Sequence, residues 1–420
     1  MNTVLISKPE RLKVDIKLPA SKSISNRALI IYALSGGNIL PDNLSDCDDT
    51  EVIIRALEQM PEVINIKAAG TAMRFMTAYL SATANGNHVL TGTERMKHRP
   101  IKVLVDALRH LGADICYEGE KGFPPLRING QNLKGGELEI AGNVSSQYIS
   151  ALLLIGPVLR KGLTLRLNGD IISRPYIDLT LWTMREFGAD AEWTSVDTIT
   201  VKPKAYTSRN YYIENDWSAA SYWYEMVALS DDPDAEVRLE GLMDGSKQGD
   251  SGVRYLFSLL GVKTTFASKK PGQPTLVTLR KSNNIVPRLE YDFTNMPDLA
   301  QTFVCTCCAM GMPFHFTGLQ TLKIKETDRI IALKAELAKL GYMLEDRNNS
   351  ELSWNGKRSE ERGASSDVAI DTYEDHRMAL AFAPMAMKMP ISINNPKVVT
   401  KSYPRFWEDL EKAGFLCHHF

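Results

Sequence analysis

At 420 residues the chain is too long for one ordinary core and predicts two or three domains. Apolar residues make up 44% and charged residues 24%, the ordinary balance of a soluble globular protein, and the net charge of −1 excludes the basic excess of a general nucleic-acid binder while leaving room for a local basic cleft. Lys8, Pro9 and Glu10 stand where a secretory signal needs an apolar core, the longest apolar run (Ile149–Leu159, holding Gly156 and Pro157) is too short to span a bilayer, and six cysteines without disulfide-like spacing suit a reducing, cytoplasmic setting.

In chain order, helix starts repeatedly follow polar or basic clusters. Ala20-Ser21-Lys22-Ser23-Ile24-Ser25-Asn26-Arg27 precedes or opens a helix through Ile31. Thr50–Lys67 leaves room only for a shortened first module. Ala69-Gly70-Thr71 opens a helix over 72–82 that carries Arg74, and Arg95-Met96-Lys97-His98-Arg99-Pro100 follows. Ser145-Ser146-Gln147 opens Tyr148–Leu154, and Ser173-Arg174-Pro175-Tyr176 reads as a loop with Pro at a helix start. Cys305-Thr306-Cys307-Cys308 sits in an apolar stretch with no second ligand cluster and reads as core. Lys325-Glu326-Thr327-Asp328-Arg329 opens a helix over 330–340. Asn355–Gly363 reads as a polar surface loop. Glu374-Asp375-His376-Arg377 opens a helix over 378–387, and Cys417-His418-His419 reads as a polar tail.

One phrase recurs beside these clusters: a helix, a Gly, a small or apolar residue, then a β-like segment. It appears around Gly112 and Gly188, more loosely around Gly261, Gly341 and Gly414, and in degenerate form over Leu57–Pro61. The later spacing of about 70–80 residues suits a small α/β module, not a solenoid. Gly just past a helix supplies the left-handed cap from which the chain turns into a strand. The same phrase is also the commonest α/β punctuation, so the reading of six modules, three per domain, needs support from elsewhere.

Helix N-termini expose unpaired N–H groups and a partial positive charge, which attract anions. Gly70 admits a ligand close to the backbone, Arg27, Arg329 and Arg377 offer forked donors, and Lys22 and Lys325 are point charges. Taken singly, each cluster is most simply a helix cap or a solvated surface charge. Five in one near-neutral chain predict an anion-lined cleft. No Walker A loop, dinucleotide fingerprint, G-x-S-x-G elbow or H-E-x-x-H motif occurs.

Together, Ser21–Leu29, Ala69–Arg74, Arg95–Ile101, Ile324–Arg329 and Asp375–Ala379, in this order, resemble the EPSP synthase (3-phosphoshikimate 1-carboxyvinyltransferase) family over nearly the whole chain. The K-E-T-D-R segment and the D-H-R-M helix start separate it from the related UDP-N-acetylglucosamine enolpyruvyl transferases. The resemblance implies an α/β fold of two domains, an inside-out α/β barrel (enolpyruvyl transferase fold) with six βαβαββ-type repeats, three per domain, helices inside and sheets outside. It places residues 22–213 in the first domain, with the shortened repeat and the shikimate 3-phosphate side. Residues 1–21 plus 214–420 form the second, and the active site lies in the interdomain cleft. It further implies a monomer with no metal or organic cofactor, no nucleic-acid or membrane partner, and two small-molecule substrates, shikimate 3-phosphate and phosphoenolpyruvate. The 5-hydroxyl of the first attacks C2 of the second while C3 is protonated, and the tetrahedral intermediate then expels phosphate.

By the same resemblance, Lys22, Ser23, Arg27, Ser145, Ser146, Gln147, Ser173, Tyr176, Asp298 and Lys325 hold shikimate 3-phosphate. Lys22, Gly70, Arg99, Gln147, Arg329, Arg377 and Lys401 hold phosphoenolpyruvate. Asp298 is the base on the 5-hydroxyl; a carboxylate base needs a pKa raised towards working pH, and closure of the cleft would supply the desolvation. Glu326 gives and retrieves the methyl proton, with Lys22 and His376 nearby. The sequence departs from the family at Ala20, Ala68, Phe75 and Thr321, which predicts altered affinity, not altered chemistry. Two other readings stay open on the residues alone: transfer to another acceptor, and a non-catalytic binder of phosphorylated metabolites. The pair of carboxylates, Asp298 and Glu326, argues against the binder.

Overall fold

The computed structural model describes residues 3–84, 86–268, 270–359 and 368–420. The chain divides into two units: the first is Ala20–Ile213, the second Met1–Pro19 with Glu214–Phe420.

Strands β1 (Thr3–Ser7) and β2 (Lys13–Lys17) open the chain and belong to the second unit. The first unit begins with helices α1 (Lys22–Leu34) and α2 (Asp48–Gln59). A repeat follows: β3 (Val63–Asn65), α3 (Gly70–Ala82), β4 (Asn87–Thr91), the short α4 (Glu94–Lys97), α5 (Lys102–His110), β5 (Asp114–Tyr117) and β6 (Leu126–Asn129), in a sheet ordered β3-β4-β6-β5. The next is β7 (Gly136–Ala141), α6 (Ser146–Ile155), β8 (Leu163–Asn168), α7 (Arg174–Glu186), β9 (Ala191–Trp193) and β10 (Thr198–Val201), ordered β7-β8-β10-β9.

In the second unit, β2 combines with α8 (Trp217–Leu229), β11 (Glu236–Met243), α9 (Val253–Ser258), β12 (Leu260–Phe266) and β13 (Pro274–Ile285), ordered β12-β13-β11-β2. Then come β14 (Leu289–Asp292), α10 (Ala300–Met310), β15 (Phe314–Thr317), α11 (Arg329–Lys339), β16 (Glu345–Arg347) and β17 (Glu351–Trp354), ordered β14-β15-β17-β16. Last are β18 (Ala369–Ile370), α12 (His376–Phe382), β19 (Ile391–Asn394), α13 (Phe406–Lys412) and β20 (Leu416–His419), closed by β1 in the order β18-β19-β1-β20.

Each of these five sheets has the same plan: its first two strands are parallel and the other neighbours antiparallel. A parallel pair needs a crossover, here α3, α6, α8, α10 or α12. These crossover helices are apolar on nearly every side and buried along most of their length, as a helix walled in by other elements must be. In the first unit α3 packs against α6 and α1; in the second α10 packs against α8 and α12. The strands alternate buried and exposed residues, as in the iBiBi pattern of β1, so each sheet turns one face to the core and the other to solvent.

At four of the five copies the recurrent glycine does what its position predicts, following directly on a helix C-cap; Gly261 instead lies inside β12, where the register with β13 shifts. Gly112, Gly188, Gly261, Gly341 and Gly414 all have positive φ, between 80° and 103°. In the degenerate first copy Met60 takes the left-handed cap, with φ 39°, and its N–H reaches the Ala56 carbonyl. That first module departs furthest from the repeat. Among the described residues it has α1 and α2 but no four-stranded sheet, only an isolated bridge between Asp42 and Tyr212. The segment between α1 and α2 is short and rich in Gly, Asn and Pro, which serve strands poorly.

One local expectation changes. Cys417-His418-His419 is not a tail: it lies in β20, paired with β1 from His419 opposite Val4 to Cys417 opposite Ile6. The expected loop Asn355–Gly363 is described only to Ser359, and its remainder lies outside the described residues. Cys305, Cys307 and Cys308 are buried in α10, as expected of core residues.

Candidate active site

The first unit gathers polar and basic groups at the starts of α1, α3, α6 and α7, with Arg99 between α4 and α5. Ser21 caps α1, its Oγ accepting from the Ile24 N–H at 3.4 Å, and Lys22 in the first turn donates to Asp49 Oδ2 at 3.2 Å. One turn on, Arg27 is buried. It donates to Thr180 Oγ1 at 2.7 Å, the Ser23 carbonyl at 2.8 Å, and Ser150 Oγ and the Tyr176 carbonyl at 3.2 Å each. Its guanidinium also lies 5.6 Å from the centre of the Phe75 ring. Burial lowers its pKa to about 10, though the Tyr176 side chain opposes the shift. Arg27 thus ties α1 to α6 and α7, a structural load that its charge alone did not announce.

Gly70 begins α3 without a side-chain cap. A Cβ there would meet Arg99 Nη1 at 2.6 Å and Arg74 Nη1 at 2.7 Å, so only glycine leaves both guanidiniums in place. Arg74 donates to the Gly70 carbonyl at 2.8 Å and stacks over Tyr148, whose hydroxyl donates to the Pro100 carbonyl at 2.5 Å. Gln147 Nε2 donates to Thr71 Oγ1 at 3.1 Å, and Ser145 caps α6 through the Gln147 N–H at 3.4 Å. Gly70, Arg99 and Gln147 are therefore linked into one neighbourhood, with Ser145 and Ser146 beside Gln147. Ser173 and Tyr176 lie at the start of α7, where Ser173 adopts a left-handed φ of 54°.

The second unit builds a denser cluster. Asp298 Oδ1 lies 3.2 Å from both Lys325 Nζ and Arg329 Nη1, and its Oδ2 accepts from Arg377 Nη2 at 3.1 Å. Arg329, 1% exposed, also donates to Glu326 Oε2 at 2.9 Å and to both Asp375 oxygens, at 2.7 and 3.2 Å. With its amide oxygen turned inward, Gln301 accepts from Arg329 Nη1 at 3.2 Å and Nε at 3.0 Å. Asp375 caps α12 through the Arg377 N–H at 2.9 Å and lies 3.7 Å from His376 Nδ1. Lys401 donates to the Glu374 carbonyl at 3.1 Å, beside the same helix start.

This geometry sets the charge state of Asp298. Burial does push the Asp298 carboxyl upward, but Arg377, Lys325 and Arg329 outweigh it and hold the group far below the ordinary carboxylate range. In this state Asp298 is an ion-pair partner and a poor base. The opposite case is Asp250, which burial raises to about 6 against the pull of Arg377.

Each unit thus brings its share of the sequence-derived residues to helix starts. Arg74 and Asp375 lie inside the sequence motifs without an assigned role: Arg74 matters through the Gly70 carbonyl and the Tyr148 ring, and Asp375 through Arg329. Gln301 and Asp250 lie outside every motif. Thr321 is one of the departures from the family pattern, and its buried hydroxyl has no hydrogen-bond partner among the described residues. Among those residues no group of three or more His, Cys, Asp or Glu is placed to hold a metal ion, and no helix is long and apolar enough to cross a membrane.

Repeated βαβαββ units with arginine and carboxylate clusters at the starts of their buried helices define a class of mixed α/β protein with several sheets. Comparison narrows the class. The family model for EPSP synthase (3-phosphoshikimate 1-carboxyvinyltransferase) matches residues 6–67 and 58–410. A 3-phosphoshikimate 1-carboxyvinyltransferase from Bacteroides fragilis is 58% identical over 412 residues, covering 98% of each chain. One from a Marinomonas species is 32% identical over 437 residues, covering 97% of this chain and 98% of the relative. The solved EPSP synthase of Acinetobacter baumannii has the same fold, with a TM-score of 0.78 at 21% identity, covering 100% of this chain and 99% of that one. The chain belongs to the EPSP synthase family.

Proposed function

We propose that this chain transfers the enolpyruvyl group of phosphoenolpyruvate to the 5-hydroxyl of shikimate 3-phosphate, releasing phosphate. This is the step of the shikimate pathway that leads towards chorismate and the aromatic amino acids. The observation that carries the reading is the clasp of Asp298 by Lys325, Arg329 and Arg377, with Glu326 on the same Arg329. Family membership and the 58% identical relative of that name support it.

In this reading the helix-start residues of the first unit, Lys22, Ser23, Arg27, Ser145, Ser146, Gln147, Ser173 and Tyr176, serve shikimate 3-phosphate. Gly70, Arg99, Arg329, Arg377 and Lys401 serve phosphoenolpyruvate. The finer architecture, an inside-out barrel of six units in two domains, belongs to the same proposal, as do a cytoplasmic monomer and cofactor-free chemistry.

The clasp suggests how the base is switched on. Phosphoenolpyruvate brings a carboxylate and a phosphate, which compete for the guanidiniums of Arg329 and Arg377. As those cations turn to the substrate, Asp298 loses the charges that depress it while remaining buried, and its basicity rises. It then takes the 5-hydroxyl proton as the oxygen bonds to C2. Glu326 supplies the proton that C3 gains. Fixed positive groups stabilise the phosphate as it departs, and Glu326 retrieves one methyl proton to leave the vinyl ether.

The test is phosphate release by the purified protein with each substrate alone and with both, in the presence of a chelator. Release that needs both substrates and tolerates the chelator supports the proposal. No release with both substrates rejects it and favours another acceptor or a binding role.

A further inference from the structure

Glu336 lies on α11, seven residues beyond Arg329, and its side chain is wholly buried. Its Oε1 accepts from the Tyr373 hydroxyl at 2.7 Å; its Oε2 accepts from the Asp371 N–H at 2.9 Å and from Lys339 Nζ at 2.6 Å. Lys339 also donates to Asp371 Oδ2 at 3.0 Å and to the Ala369 carbonyl at 3.2 Å. A buried carboxylate thus spends its acceptors on one short segment and on the lysine that grips the same segment.

That segment leads directly into Asp375-His376-Arg377. Tyr373 and Glu374 have φ of 52° and 56°, and the Asp375 N–H donates to the Thr372 carbonyl at 2.8 Å. A tight turn with positive φ at both central positions ordinarily uses Asn-Gly, Asp-Gly or Gly-Gly. Tyr-Glu has no local preference for it, so the surroundings must impose it. A buried contact that holds it is the Tyr373 hydroxyl on Glu336. Beyond the turn, Lys401 donates to the Glu374 carbonyl, and Asp375 holds Arg329 and the backbone of Arg377.

We infer that Glu336, acting through Tyr373, is a positioning residue: it holds the left-handed Tyr373–Glu374 turn and so sets where Asp375, Arg377 and Lys401 stand. Its kinetic consequence rests on the reading of that cluster as the phosphoenolpyruvate subsite.

Tyr373→Phe removes only the hydroxyl, and Glu336→Gln keeps one side-chain carbonyl as acceptor. Each would be assayed with the two substrates varied separately, and thermal unfolding would be measured alongside. Tyr373→Phe is expected to raise the KM for phosphoenolpyruvate about tenfold, the factor one charge-assisted hydrogen bond sets, with the KM for shikimate 3-phosphate nearly unchanged. Glu336→Ala should do more and Glu336→Gln should restore part of the loss. Equal changes in both KM values, or a lowered melting temperature with both unchanged, would overturn the inference. Crystal structures of wild type and Tyr373→Phe give an answer that needs no turnover. The inference expects Tyr373 and Glu374 to leave the left-handed region and the Lys401 contact to open in the variant; an unchanged turn refutes it. A wild type without turnover would count against the proposed activity and leave the structural comparison to decide the positioning role.

Discussion

Asp375→Asn isolates one charge at the centre of the second unit. Asn caps a helix as well as Asp does, so the bond from the Arg377 N–H to the cap survives. What disappears is the negative charge facing Arg329, which is 1% exposed and donates to Asp375 at 2.7 and 3.2 Å. Burial alone would lower the Arg329 pKa, but Asp375, Glu326 and Asp298 drive it above the ordinary value, so the guanidinium stays charged when one partner is lost. Removing one member of a buried pair costs about 3–5 kcal/mol. Here Glu326, Asp298 and Gln301 still face Arg329, which argues for the lower end, about 3 kcal/mol. For a unit of this size that is a fall of roughly 6–12 °C in melting temperature, measurable by calorimetry. Asp328→Asn is the control. Asp328 caps α11 by accepting from Ile331 N–H at 3.2 Å and forms no ion pair with Arg329, so melting should move by less than about 1 °C. A change of under about 1 kcal/mol in Asp375→Asn would refute the claim that this charge neutralises Arg329.

Arg27→Lys should destabilise the first unit by about 3 kcal/mol, since an ammonium cannot reproduce the fork that reaches Thr180, Ser150 and the Ser23 and Tyr176 carbonyls; denaturant unfolding reads the loss. Asp250 is raised by burial from 3.8 to about 6, so its folded state binds the proton more tightly, and stability is lost as pH rises from about 4 through 6. Asp250→Asn should flatten that slope and leave the protein more stable at pH 8 by up to about 3 kcal/mol, read by urea titration across pH; an unchanged slope would count against it. Asp298 has the opposite sign: its depressed folded value adds stability above the ordinary carboxylate range, and that contribution fades as acidification protonates it. Asp298→Asn should lower kcat by roughly 10²–10⁴ while phosphoenolpyruvate still binds, tested by steady-state kinetics beside calorimetric titration.

The repeat was legible because its marker is stereochemical. A left-handed helix cap selects glycine, so Gly112, Gly188, Gly341 and Gly414 stood out in the sequence and take positive φ just past a helix C-cap, while Gly261 takes its positive φ within β12. The helix starts were legible for a similar reason: Ser21, Ser145, Asp328 and Asp375 cap through bonds to residues two or three positions on. The shortness of the first module was visible too, but not the loss of its sheet, because β-bridging depends on partners such as Tyr212, far away in sequence. Arg27 could be seen as a charge within an apolar helix, yet all its partners but the Ser23 carbonyl lie about 120–150 residues away, where no local pattern reaches. The depressed pKa of Asp298 in this state was not legible, because the three cations that converge on it come from residues 325, 329 and 377, which no local pattern joins to residue 298.

Enolpyruvyl transfer by addition and elimination is tested most directly by running the reaction in deuterium oxide with shikimate 3-phosphate and phosphoenolpyruvate and following it by phosphorus and proton NMR. Protonation of C3 followed by removal of one methyl proton predicts one inorganic phosphate released per product formed, a retained shikimate phosphate, and solvent deuterium in the product's vinyl group. A mixture that keeps both substrates, or a product whose vinyl group carries no deuterium, would contradict it.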